Sequence, residues 1–313
     1  MRYLTIPRTA IDQHDAVFTP FITNALQQLV GRETDLAVRE YYEFLRTRHQ
    51  SKSLAIVDLD EMEKLVWESN GCVHGRGFPF ERVHGQNCDL YRAIDYGAFG
   101  KGVGGWNTHE FIDLMNIGAC PYCNAVSIRP SSSYPHLDHY FPHARFPFLG
   151  LSIFNLVPVC GRCNGRSCKG EKYLPISCNA NPYYDDVHFA VVFRDRLRRI
   201  EDWSASATDK DLELDVYQAA SARAGQAEHF LRRIKVLDAY NIDHKTDVQN
   251  FIEGIRTFSD MFLRDCNKRF SGLGSSYNPR HLNRRILTKD DIRDEPLSKY
   301  RIDLCDQYNI PTT

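Results

Sequence analysis

Two C-x-x-C pairs, Cys120/Cys123 and Cys160/Cys163, constrain this chain more than any other feature. Four thiolates are the ligand set of a closed, tetrahedral structural zinc site, but the 36 residues between Cys123 and Cys160 exceed the spacing of a simple zinc ribbon. A structured insert is therefore expected between the two metal-binding turns. The insert contains "LDHYFPHARFPFLGLSIFNLVPV", with enough apolar residues for two strands, and the second turn continues as "CGRCNGRSCKG", which suits a short helix. Zinc would staple a β-β-α unit too small to hold itself together. Structural zinc contributes about 10 to 16 kcal/mol of apparent binding energy to folding.

Ten cysteines in a secreted chain would suggest disulfides. This sequence begins without the apolar segment of a signal peptide and has no run of about 18 apolar residues, so metal binding, a cytoplasmic location and no membrane span are the expectations. With 313 residues, 42% hydrophobic and 25% charged, the composition suits a soluble globular protein of one elaborated domain or two. A net charge of −1 excludes a surface coated in basic residues for nucleic acid. Between Gly118 and Lys172, however, Arg129, Arg145, Arg162, Arg166, Lys169 and Lys172 face only Asp138 and Glu171, so the basic excess coincides with the cysteines.

Apolar spacing predicts helices across residues 12–70, in "FITNALQQLV" and "LAVREYYEFLRTRH", with Asp58 capping "LDEMEKLVWES". Residues 71–105 are rich in glycine and aromatics and read as a connector with little regular structure, followed by a helix over "THEFIDLMNIG". After Lys172, "FAVVFRDRLRRIED" reads as a strand pair around Arg194 and Asp195, and residues 209–270 return to long amphipathic helices. The expected class is α+β, mainly helical around the zinc-stapled β-β-α core. The expected parts are a helical region 1–108, a central domain 109–178 and a mostly helical region 179–313.

Within the insert, Asp138, His139, Asn155 and Asn164 are the polar residues best placed for chemistry. Together with C-P-Y-C-N, L-D-H-Y-x-P, F-P, S-I-x-N-L-V-P-x-C and C-N, this arrangement resembles the HNH nucleases, also called the His-Me or ββα-metal finger, over roughly Ile117–Gly170. More narrowly it resembles the zinc-bearing HNH proteins that bacterial anti-phage systems pair with an ATPase, the Septu type among them. The tail "NPYYDDVHF" extends the similarity to about residue 190. Residues 1–108 carry no such likeness.

The resemblance implies a metal-dependent endonuclease that cuts phosphodiesters in DNA, with a partner ATPase. It makes His139 the general base, a role suited to a side chain whose ordinary pKa lies near 6.5. It makes Asp138 and Asn164 ligands of a catalytic Mg²⁺ or Mn²⁺, and Asn155 the residue that fixes the loop and orients the base. Many relatives place a lysine three residues after the last Asn; here Ser167 stands there and Lys169 follows Cys168. Arg162, Arg166 and Lys169 are candidate contacts to the nucleic-acid backbone, as are "RDRLRR" at 194–199 and "RHLNRR" at 280–285, although solvated basic faces are the commoner reading of such runs. Two other functions stay open: an RNA-cleaving nuclease, because this chemistry does not require a 2′-hydroxyl, and a non-catalytic zinc module that binds nucleic acid or protein. Cys72, His74, His84 and Cys88 form a mirrored pattern that suggests a second zinc, and His136 and His143 flank the site as possible extra ligands.

Overall fold

The computed structural model describes residues 4–75, 80–129, 135–185, 191–195, 214–219, 223–257, 292 and 294–307. Its backbone divides into two units, Met1–Ile117 with Ile128–Asp186, and Gly118–Ser127 with Val187–Thr313. Among the described residues each unit contains helices and one antiparallel sheet of two strands, so the class is α+β. Among the described residues no helix is long and apolar enough to cross a membrane.

The first unit opens with α1 (Arg8–Arg32), whose buried residues Ala10, His14, Phe18, Ile22, Leu26 and Leu29 recur every three or four positions and so form one stripe. That stripe packs on α2 (Leu36–Ser51), which starts at Asp35 because its carboxylate accepts from the amides of Ala37 and Val38. Helix α3 (Leu59–Gly75) packs on α2 and starts as the sequence predicts, with Asp58 accepting from the Glu61 amide at 3.0 Å. The glycine-rich connector is more ordered than its composition suggests. It contains α4 (Phe80–Val83), α5 (Asp89–Ala93) and α6 (Tyr96–Lys101), short helices capped by side chains such as Cys88 and Asp95. Helix α7 (Thr108–Met115) is capped by Asn107 and ends at Asn116 in the left-handed conformation (φ 45°).

The insert between the cysteine pairs forms β1 (His136–His139) and β2 (Leu156–Val159), paired antiparallel with Asp138 opposite Val157 and His139 opposite Leu156. Helix α8 (Gly161–Asn164) follows directly and packs on β1, giving the expected β-β-α order. All four residues of β2 are buried. The segment after α8 also packs inward: Tyr183 donates its hydroxyl to the Leu156 carbonyl at 2.6 Å, and Tyr140 donates to Ala180 at 3.2 Å.

In the second unit β3 (Val191–Asp195) pairs with β4 (Leu214–Gln218). This corrects the expected strand pair around Arg194 and Asp195, since both residues lie within β3 and their partners are Asp215 and Leu214. It also places a strand in the stretch read as helical from 209. Helices α9 (Ala224–Arg233), α10 (Val236–Asp238), α11 (Lys245–Thr257) and α12 (Ser298–Gln307) complete the described part. Residues 196–199, 258–291 (including Cys266) and the basic run 280–285 lie outside the described residues.

His14 shows what holds the first unit together. Its ring is fully buried, with Nε2 at 2.7 Å from the Leu151 carbonyl and Nδ1 at 3.0 Å from the Trp106 indole nitrogen. A carbonyl only accepts and an indole N–H only donates, so these partners select the neutral tautomer with its proton on Nε2. Protonating Nδ1 would set two N–H groups against each other, and burial independently lowers the pKa to about 4. The folded-state pKa lies below the unfolded value near 6.5, so the unfolded chain binds more protons in between, and stability falls as pH drops from about 6.5 towards 4. His14→Phe should cost about 2 kcal/mol or more at pH 7 through the two lost hydrogen bonds. Its stability should nevertheless decline less steeply in acid, by up to about 1.4 kcal/mol per pH unit. Urea titrations at pH 7, 5.5 and 4 check both outcomes.

Candidate functional site

Each C-x-x-C pair closes a tight turn whose following asparagine donates its amide to the first cysteine's carbonyl: Asn124 to Cys120 at 2.7 Å and Asn164 to Cys160 at 3.1 Å. Asn124 takes a left-handed backbone (φ 53°), and the next amide, Ala125, donates to the Cys123 sulfur at 3.4 Å. All four cysteines are buried free thiols, and their Sγ atoms lie within 4.8 Å of one another. Tetrahedral Zn–S bonds of about 2.3 Å put sulfurs about 3.8 Å apart, so small side-chain rotations close this set on a zinc ion. The cluster can hold a metal ion such as zinc.

The mirrored Cys72, His74, His84, Cys88 pattern does not converge in the same way among the described residues. His84 Nδ1 bonds the Arg145 carbonyl, and Cys88 caps α5 by accepting from the Tyr91 amide at 3.3 Å. The side chain of His74 lies outside the described residues.

His139 ends β1. Its Nε2 is 2.9 Å from the Gly150 carbonyl, which fixes the proton on that nitrogen and leaves Nδ1 as the basic one. Gly150 is placed by Asn155, a fully buried residue whose amide makes three bonds: its oxygen accepts from the Phe141 amide at 2.7 Å, and its nitrogen donates to Phe141 O at 3.0 Å and Leu149 O at 3.1 Å. The loop that leaves β1 and the turn that carries Gly150 are thus tied to one side chain. Tyr96 meets the His139 ring edge-on at 4.6 Å, and His143 stacks on it at 5.0 Å. Burial lowers His139 to about 4, the Lys169 ammonium adds to that, and the Gly150 carbonyl opposes it. His143 is lowered further, to about 3, by burial and by its neighbour His139.

Asp138 and His139 are neighbours on a strand, so their side chains leave opposite faces. Asp138 turns inward, 3% exposed, and meets Lys169, 0% exposed, with Nζ 3.4 and 3.5 Å from its two carboxylate oxygens. The same Nζ donates to His139 O at 3.0 Å and Gly170 O at 3.3 Å. Lys169 therefore lies inside the fold, whereas Arg166 is exposed and Arg162 half-buried. Asn164, on α8, is half-buried and lines a cleft of about 330 Å³ together with Tyr96, Thr108, His109, His136 and Leu137.

Sequence reading missed the supporting residues Tyr96, Gly150, Lys169 in its buried role, and Tyr183. Only Tyr183 had a signal, the "NPYYDD" stretch whose first tyrosine braces β2. Comparison with protein-family models, with curated proteins and with solved structures finds no match to this chain.

Asn155→Ala leaves the Phe141 amide and carbonyl without a partner, while the Leu149 carbonyl keeps the Ser152 amide at 3.2 Å. At roughly 1 to 3 kcal/mol for each orphaned group before relaxation, a loss of about 2 kcal/mol or more in chemical denaturation is expected. Gly150→Ala should also destabilise, because its new Cβ would sit 2.4 Å from His143 Nε2 and push the stacked rings apart. In that variant the proton NMR signals of the His139 and His143 rings should move together.

Proposed function

We propose that the chain is a metal-dependent endonuclease that hydrolyses phosphodiester bonds in DNA, with His139 as general base. The observation that carries this reading is the oriented imidazole. A neutral histidine at a strand end, its Nε2 proton held by the Gly150 carbonyl and that carbonyl positioned by Asn155, presents Nδ1 as a ready acceptor. Its lowered pKa keeps it unprotonated at neutral pH, and an arriving anionic phosphodiester raises its basicity again. In the reaction a water oxygen bonds to phosphorus while its proton passes to Nδ1 of His139. The bond to the 3′-oxygen breaks, and that oxygen takes a proton from solvent.

Asp138 and Asn164 would hold the catalytic Mg²⁺ or Mn²⁺. The fit rests on hard oxygen donors and on a stand-in cation, since the Lys169 ammonium already sits on Asp138. When bound, such an ion supplies positive charge to the phosphorane and the leaving oxygen. Zinc at Cys120, Cys123, Cys160 and Cys163 has a structural role, because four thiolates leave it no open position for substrate. The cleft beside Asn164 would admit a strand, and Arg162 and exposed Arg166, two residues either side of Asn164 in sequence, would meet backbone phosphates. The sequence resemblance to nucleases that work with an ATPase extends the proposal to an effector of bacterial anti-phage defence, with a partner that supplies recognition.

His139→Ala should lower cleavage by about 10² to 10⁴ while zinc content and circular dichroism stay unchanged. Plasmid DNA and total RNA incubated with Mg²⁺, with Mn²⁺ and with chelator are the assay; wild-type-like turnover in the variant would sink the mechanism, and cleavage of RNA alone would move the substrate class. Elemental analysis should find about one zinc per chain, retained when mild EDTA stops cleavage and when Mg²⁺ or Mn²⁺ restores it. Cys160→Ser should lower both zinc content and thermal stability.

A further inference from the structure

We propose that Lys169 is the resident cation of the Asp138 site, and that a divalent metal ion enters only by displacing it. The inference rests on reading Asp138 as a metal ligand and adds how that site is controlled.

A lysine that contacts phosphate keeps its ammonium in water at the end of a flexible stem. Lys169 does the opposite, with its head enclosed by both oxygens of Asp138 and the carbonyls of His139 and Gly170. An all-oxygen shell is also what Mg²⁺ or Mn²⁺ selects. Two cations cannot share it, because charges a few ångströms apart in a dry interior repel strongly and each needs the same carboxylate. The ammonium must therefore leave as the metal arrives.

The surrounding backbone lets the side chain move alone. The Lys169 amide donates to Cys163 O at 3.0 Å, and its carbonyl accepts from the Lys172 amide at 3.1 Å. Gly170 adopts a left-handed turn (φ 46°) so close to Arg166 that a Cβ would lie 3.0 Å from its Cα. The main chain is pinned on both sides of Lys169, so the exchange falls to its four side-chain torsions. Cation exchange then needs rotamer changes and no unfolding.

The test uses the full, zinc-loaded chain and Mn²⁺ as probe, with free Mn²⁺ followed by electron paramagnetic resonance. Lys169→Met should bind Mn²⁺ at least about tenfold more tightly than the parent, because the competing charge is gone. The double variant Asp138→Asn, Lys169→Met should lose that gain. On the parent protein, acetic anhydride should leave Lys169 unmodified without metal and acetylate it at saturating Mn²⁺, with exposed Lys101 as internal reference. Equal or weaker Mn²⁺ binding by a folded Lys169→Met protein overturns the proposal. So does labelling of Lys169 that ignores Mn²⁺, a readout that decides the matter even if the variant does not fold. Exchange without cleavage of DNA or RNA would retire the nuclease reading and leave the exchange standing; metal-dependent cleavage without exchange would do the reverse.

Discussion

The amide of Asn155 holds together the loop that joins β1 to β2. Residues 140–155 join the two strands through a long loop with only two short 3₁₀ turns, and most of it is buried. A buried loop must satisfy its own peptide groups, and without a sheet or helix ladder it depends on side chains to do so. One carboxamide meets three of these needs and in doing so sets the position of Phe141 and Leu149 relative to each other. The Gly150 carbonyl, the orientation of His139 and the stacking of His143 follow from that spacing.

Desolvation is the second theme of this unit. His14, His139 and His143 are all driven below the ordinary histidine value chiefly by burial, and for His14 the hydrogen-bond partners select the neutral tautomer independently. Burial also lowers Lys169 while Asp138 holds it up. A buried ion pair of this kind adds little net stability over an apolar pair, although losing one partner is costly.

Much of this arrangement was legible in the sequence because local rules governed it. Apolar spacing found α1 to α3, Asp58 announced itself as a cap, and the paired cysteines with two apolar runs between them predicted the β-β-α order. Reading failed where partners are distant. The connector at 71–105 hides short helices because each is fixed by a cap and by packing, signals too brief for periodicity. The partner of β3 lies beyond a stretch of eighteen residues, and no nearest-neighbour rule finds it. Lys169 illustrates the same limit: its departure from the expected lysine place after Asn164 was visible, but nothing local announced that the turn at 165–170 folds back and delivers the ammonium to Asp138.

The buried side chain of Asn124 has a consequence for how the chain folds during synthesis. Its nitrogen donates to the Ile292 carbonyl at 2.6 Å, across 168 positions, and its oxygen accepts from the Lys299 amide at 2.9 Å, which starts α12. Contacts so far apart in sequence close late, because the loop entropy must be overcome before they form. On a ribosome adding about 5 to 20 residues per second, Asn124 waits on the order of ten seconds for these partners. During that interval the turn at Cys120–Cys123 lacks this support from its own unit, and its two thiols are most open to oxidation or to capture by the wrong metal.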